Sequence, residues 1–173
     1  MSTPAIWLRP AKASDMPLLY QVYASTRLDE LALLGWSAAQ QHAFLAQQFE
    51  AQHQHYHTYS AGADFLVIMC GEQPIGRMYV DRRADEIRLI DIALLPARRG
   101  AGIGSRLLHG LLSEAAACGK PLRIHVEKFN PALRLYQRLG FAPIEDRGMY
   151  WFMEWAPPAR QPVASGAQAL APA

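Results

Sequence analysis

"ARRGAGIGSRLL", residues 97–108, is the stretch whose reading decides the fold. Gly100, Gly102 and Gly104 alternate with small or apolar residues, and Arg98 and Arg99 stand in front of them. Behind them Ile103, Leu107, Leu108, Leu111, Leu112 and Ala115 recur at helical spacing, until Gly119 and Pro121 stop the pattern. Glycines let backbone N–H groups approach an anion, and a helix N-terminus adds partial positive charge at the same place. A glycine-rich helix entry with no ligand fits the same residues. A triphosphate loop requires Lys and then Ser/Thr after its last glycine, but Gly104 is followed by Ser105 and Arg106. A dinucleotide fingerprint belongs on the first strand of its unit, with an acid about 20 residues on. This loop lies several strands into the chain, and the acid at about that distance, Glu127, falls beyond the next strand.

Working outward, "EIRLIDIALL" before the loop predicts a strand ended by Pro96, and "LRIHV" after the helix predicts another. A helical crossover separates them, so they should run parallel. Upstream, "AIWLRPA" gives a short strand over Ile6 to Arg9. "SDMPLLYQVYASTR" gives a helix capped by Ser14 or Asp15, and a loop through Gly35-Trp36 leads to a second helix from Ser37 to about Gln52. "DFLVIMC" and "GEQPIGRMYV" read as a hairpin, and "FAPIE" with "MYWFMEW" as closing antiparallel strands. The expected class is α/β (α+β): a mixed, mostly antiparallel central sheet with a parallel βαβ core and helices on both faces.

The 173 residues suit one domain, expected over 1–156, with an Ala/Pro-rich tail at 157–173 that has little to bury and is expected to be disordered. A net charge of +2 with scattered basic residues argues against nucleic acid as a partner. No apolar run approaches the ~18 residues of a membrane span, and no signal pattern opens the chain, so a cytoplasmic protein is expected. Cys70 and Cys118 both read as small core fillers, without the paired spacing of a metal site. In "HQHYH", His53, His55 and His57 alternate as strand-borne metal ligands would, but the segment reads as a helix end running into a polar surface turn.

A second constellation lies downstream. "NPALRLYQRLGF", residues 130–141, places Asn130 as N-cap, Pro131 at the first helical position and Gly140 as left-handed C-cap. Leu135 and Leu139 form a core pair, and Tyr136, about 100° round the helix from Leu135, is expected to leave the core for a neighbouring cleft. A well-capped helix alone would explain these residues. Taken with the glycine loop, however, the two stretches resemble the GNAT superfamily of acyl-CoA-dependent N-acetyltransferases. Arg99, Gly102 and Gly104 match its first signature, and Asn130, Tyr136, Gly140 and Phe141 its second.

The resemblance implies acetyl-CoA as co-substrate and no metal. Backbone N–H groups over Arg99, Gly100, Ala101, Gly102, Ile103, Gly104 and Ser105 would bind the pyrophosphate, with Arg98 and Arg99 adding charge. The strand at Ile92 and Leu94 would receive the pantetheine arm, the Leu94 N–H would polarise the thioester carbonyl, and Asn130 would touch the arm. Tyr136 would protonate the departing thiolate. Family members often carry a Glu or His base on the strand before the loop, where this chain has Arg88 and Ile90. Asp91 is either a paired structural acid or a base, and alternation puts it on the opposite face from Arg88 unless a bulge re-aims it. Glu30, in the loop between the first two helices, is a second candidate base, and a water relay a third. The acceptor would be a small-molecule or peptide amine, lying near Asp29, Glu30, Trp36, Glu145, Asp146 and Tyr150, whose acids and aromatics suit a cation. A homodimer is possible on this reading, and a non-catalytic acyl-CoA sensor or interaction module is the competing one.

Overall fold

The computed structural model describes residues 4–159, so most of the expected tail lies outside the described residues. Seven strands form one sheet in the order β1-β2-β3-β4-β5-β7-β6. They are β1 (Ile6–Pro10), β2 (Asp64–Cys70), β3 (Gln73–Arg82), β4 (Ile87–Leu94), β5 (Leu122–Glu127), β6 (Ala142–Arg147) and β7 (Tyr150–Trp155). The helices are α1 (Met16–Ser25), α2 (Leu28–Ala32), α3 (Ala38–Tyr59), α4 (Ile103–Cys118) and α5 (Leu133–Arg138). All neighbouring strands pair antiparallel except β4 and β5, which run parallel across the α4 crossover as expected.

Alternation along the strands builds two cores. Ile68 of β2, Met78 and Val80 of β3, Ile87 and Leu89 of β4 and Ile124 of β5 face α4, where they meet Ile103, Leu108, Leu111 and Ala115. The opposite face of β2, Val67 and Met69, packs against Leu19 and Tyr23 of α1, Leu31 of α2 and Leu45 and Phe49 of α3. Each core excludes water from one side of the sheet, and that burial is the main force holding helices and sheet together.

Four local expectations change. The helix capped by Ser37 continues to Tyr59, so "HQHYH" is helical rather than a turn; His53 and His57, four residues apart, meet edge-on with centroids 4.4 Å apart. Glu30 sits on the short helix α2 instead of a loop. Cys118 is exposed, and only Cys70 is a core filler. Around Asn130 the chain makes a turn, with the Asn130 Oδ1 accepting from Ala132 N–H at 2.9 Å, and α5 begins only at Leu133.

The chain's entry into α1 is held by charge. Arg9 donates to both carboxylate oxygens of buried Asp15 at 2.7 Å, and the Lys12 N–H adds a third bond at 2.7 Å. The Arg9 guanidinium holds the Asp15 carboxyl down at about 2. A depressed carboxyl contributes stability that is complete above its unfolded value of about 3.9 and is lost as pH falls through the folded one. Asp15→Asn should therefore melt below the wild type near neutral pH, with the two curves converging as the pH approaches about 2. A gap that stays constant through an acid titration of Tm would show that the pair does not carry this stability.

Candidate active site

The site begins at an irregularity in β4. Tyr79 of β3 lies opposite Asp91, yet the next residue, Val80, lies opposite Leu89, so Ile90 is an extra residue in β4. A bulge of this kind bends its strand and resets which face the following side chains take. Two consequences follow. Asp91 now shares a face with Arg88, since their partners Tyr79 and Asp81 are two residues apart on β3 and point the same way; the expectation from simple alternation is reversed. And β4 parts from β5: their parallel pairing runs only from Ile87↔Leu122 to Leu89↔Ile124, while β5 continues along β7 to Glu127.

The result is a V between two strands. Its closed end is pinned by buried Glu86, which accepts from Arg88 of β4 at 2.8 Å and from Arg123 of β5 at 2.9 Å. Along the open arm the backbone of β4 alternates. The Leu95 N–H donates back to Ile75 O at 2.9 Å, so Leu94 turns its N–H and C=O to the other edge, into the V, and Ile92 shares that edge. The Leu94 carbonyl accepts from Arg99 Nε at 2.9 Å.

The glycine loop closes the open end. Gly100 and Gly102 both have φ of +74°, a left-handed conformation that costs other residues about 1–2 kcal/mol. These turns lead into α4, whose N-cap Gly102 has no side chain to satisfy the first-turn N–H groups. The first backbone bond returns only from Arg106 N–H to Gly102 O, at 3.0 Å. The N–H groups of Ile103, Gly104 and Ser105 therefore point off the helix end, where an anion is favoured. A Cβ on Gly104 would meet nothing within 4 Å, so packing does not require glycine there, and its bareness leaves the approach to the helix end open. Both arginines are tied to protein groups. Arg98 donates to Gln73 Oε1 at 2.6 Å, and Arg99 reaches Ser25 Oγ at 2.8 Å as well as the Leu94 carbonyl.

Tyr136 departs from expectation. Its ring is buried in the α4-side core, edge-on to Phe141 at 5.7 Å, while Leu135 and Leu139 are the partly exposed pair. Leu133, Leu135 and Leu139 of the same segment pack against this core as well, so the ring and the leucines share it. Burial, and secondarily the charge of Asp91, push the Tyr136 phenol well up, so it stays protonated. Asp91 itself is engaged: its Oδ2 lies 2.6 Å from Arg77 Nε, though not aligned as a hydrogen bond. Arg77 is buried, donates to Gln52 at 2.8 Å and lies over the rings of Tyr23 and Tyr79.

The expected acceptor-side acids scatter. Glu30 is mostly exposed, 3.7 Å from Arg27. Glu145 accepts from Arg147 at 2.7 Å, and Asp146 from Lys128 at 2.6 Å, both out on the closing hairpin. Trp36 packs edge-on to Phe44. Two groups that strand and loop patterns did not single out for this face are brought together instead. Glu127, the last residue of β5, accepts from Arg27 Nη2 at 3.1 Å and from the Tyr150 hydroxyl at 3.4 Å. In sequence Glu127 stood out only as an acid just beyond the strand that follows the loop, at the end of the alternation Arg123, His125, Glu127; Arg27 lies 100 residues away and gave no signal.

Residues 61–143, which include the bulged strand and the glycine loop, match the sequence model of the acetyltransferase (GNAT) domain. Over that segment, just under half of its length, the chain is similar to the GNAT superfamily. Over 87 residues it is 32% identical to the [ribosomal protein bS18]-alanine N-acetyltransferase of Haemophilus influenzae, a match covering 50% of this chain and 60% of that protein. Among solved structures, the PaiA N-acetyltransferase of Thermoplasma acidophilum in complex with coenzyme A superposes with a TM-score of 0.67 at 18% identity, covering 88% of this chain and 99% of that one. The ribosomal-protein-S18-alanine N-acetyltransferase of Escherichia coli gives 0.56 at 17% identity, over 88% and 94%. These similarities establish that the GNAT fold is shared.

The geometry of the V depends on close strand approach at one point. A Cβ on Gly76 would stand 2.4 Å from the Ala93 carbonyl oxygen and 2.9 Å from a Leu94 methyl. Gly76→Ala must therefore push the open arm of β4, and it should cost about 1–3 kcal/mol in denaturant unfolding with faster amide exchange at Leu95, whose N–H is bonded to Ile75. Unchanged stability and exchange would mean that the arm yields without consequence.

Proposed function

We propose that this chain transfers an acetyl group from acetyl-CoA directly to a primary amine within a ternary complex. The observation that carries this reading is the V opened by the Ile90 bulge, with inward-facing backbone groups on one arm and the α4 N-terminus at its mouth. An extended pantetheine arm would add to the exposed edge at Ile92 and Leu94 as a short strand does. Its pyrophosphate would lie against the first-turn N–H groups of α4, across the bare Gly100 to Ser105 surface. The relatives named above, one of them solved with coenzyme A, support the same ligand here.

The chemistry asked of the protein is modest. Bound acetyl-CoA supplies the thioester. The Leu94 N–H donates to the carbonyl oxygen and favours the charge that develops there as nitrogen attacks. The Tyr136 phenol, kept protonated by burial, gives its proton to the departing sulfur. With the Asp91 carboxylate held by Arg77, the proton lost by the nitrogen leaves through water. Asn130 serves the arm through the turn it organises ahead of α5. The acceptor is a small-molecule or peptide amine. We place the reaction in the cytoplasm: Cys70 and Cys118 are free thiols, which suits a reducing compartment, and no helix among the described residues is long and apolar enough to cross a membrane.

The test is release of free thiol from acetyl-CoA over a panel of amines and peptides. Turnover with at least one acceptor is expected, and Tyr136→Phe should lower kcat by about 10²-fold or more with little change in acetyl-CoA affinity. An unchanged kcat would remove Tyr136 as the acid. Acetyl-CoA binding without thiol release on any acceptor would make the chain an acyl-CoA-binding module instead.

A further inference from the structure

We propose that Glu127 is the acceptor-recognition carboxylate of this protein, binding the acceptor's ammonium group in a box whose resting occupant is the guanidinium of Arg27. The inference rests on the acetyl-transfer reading and names the charge of the acceptor.

Position argues first. Glu127 lies three residues beyond Ile124, the last residue of β5 that pairs with β4, so it stands on the open arm of the V. Leu122, Ile124 and Val126 turn into the α4-side core, so Arg123, His125 and Glu127 take the other face, the face that Asp91 also takes. The carboxylate is thus on the opposite side of the sheet from α4 and Tyr136. An acceptor entering from that side would meet it at the mouth of the V.

Composition argues second. Around Arg27 the structure assembles what a cation requires. Glu127 Oε1 is 3.1 Å from Nη2, Glu30 Oε2 is 3.7 Å from Nη1, and the Tyr23 ring centroid is 6.0 Å from the guanidinium carbon. The Tyr150 hydroxyl donates to the same Glu127 oxygen at 3.4 Å. These groups come from α1, α2, the end of β5 and the start of β7, so four separate segments converge on one positive charge. Carboxylates beside an aromatic face make a cation site with little tolerance for an anion.

Accessibility argues third. The side chains of Arg27 and Glu127 are 31% and 33% exposed. That is buried enough to strengthen the attraction over a surface pair, yet open enough for exchange with an incoming ligand. Arg27 rides on a long flexible stem and can withdraw into solvent, whereas Glu127 sits on a paired strand and cannot. A primary ammonium offers three donors in place of the guanidinium, matching the Glu127 carboxylate and the Tyr150 oxygen. Glu127 in this role selects and holds the acceptor as its ammonium, which gives one proton to water before its nitrogen attacks; Glu127 is a specificity residue and not the base.

The test is steady-state kinetics with benzylamine, butane-1,4-diamine and an alanine-initiated hexapeptide as acceptors, comparing wild type with Glu127→Gln, Glu127→Asp and Arg27→Met. Glu127→Gln should raise KM for the acceptors by about tenfold or more, leaving kcat and the acetyl-CoA KM within about threefold. Glu127→Asp should recover part of that loss. Arg27→Met, which removes the resting cation but keeps most of the stem, should lower the acceptor KM. Wild-type turnover with acceptor KM unaltered by Glu127→Gln overturns the inference and leaves acetyl transfer standing. An acceptor KM that rises in Arg27→Met as it does in Glu127→Gln makes the pair a structural clamp and also overturns it. A wild type that transfers to none of the three, nor to any member of the wider amine panel, overturns the acetyl-transfer reading and this inference with it. If Glu127→Gln does not fold, the Arg27→Met arm decides alone.

Discussion

The parting of β4 from β5 is the constraint on which the rest of this structure depends. Parallel strands normally satisfy each other's backbone along their full length, because a buried unpaired N–H or C=O is costly. Here one extra residue, Ile90, bends β4 away after only three paired positions, while β5 goes on along β7. The unsatisfied edge this leaves is the feature an extended ligand can use. The bulge also rotates Asp91 onto the face of Arg88, so the opening of the cleft and the charge beside it have a single cause.

A fork in a sheet must be held at both ends. At the closed end, Glu86 ties β4 to β5 through Arg88 and Arg123, and Arg123 extends the tie to Glu154 of β7 at 2.7 Å. Burying Glu86 would be prohibitive without these cations, and with them it fixes the point from which the strands diverge. At the open end, Arg99 joins the Leu94 carbonyl to Ser25 at the end of α1. Between them the buried Arg77 holds Asp91 and lies over Tyr23 and Tyr79, which locks the bulged strand to the helical layer. The cleft is therefore framed by charge-assisted contacts, and the apolar cores above and below supply the bulk of the stability.

Much of this was legible in the order of residues. The glycine loop, the α4 periodicity and the Asn130 to Phe141 segment lie within short windows, and each depends on local rules: left-handed glycines, helical repeat, turn capping. The parallel β4–β5 pair followed from the crossover between them. Errors arose wherever a side chain's surroundings are set by distant segments. Tyr136 reads as a cleft residue from helical phase, yet its ring is buried against the α4-side core. "HQHYH" looks like a break after a long polar run, but Phe49, Leu45 and the stacking of His57 on Phe65 carry the helix through it.

The sequence by itself determined the family signatures, the mixed sheet with its one parallel pair, and the loop at the head of α4, because these are encoded in periodicity and in residues adjacent along the chain. Only the tertiary structure decided what the cleft contains. Pairing of Asp91 with Arg77, of Glu86 with Arg123, and of Glu127 with Arg27 joins positions 14, 37 and 100 residues apart. Charges attract according to where folding brings them, and a single bulge, invisible to alternation, chose the face on which they meet.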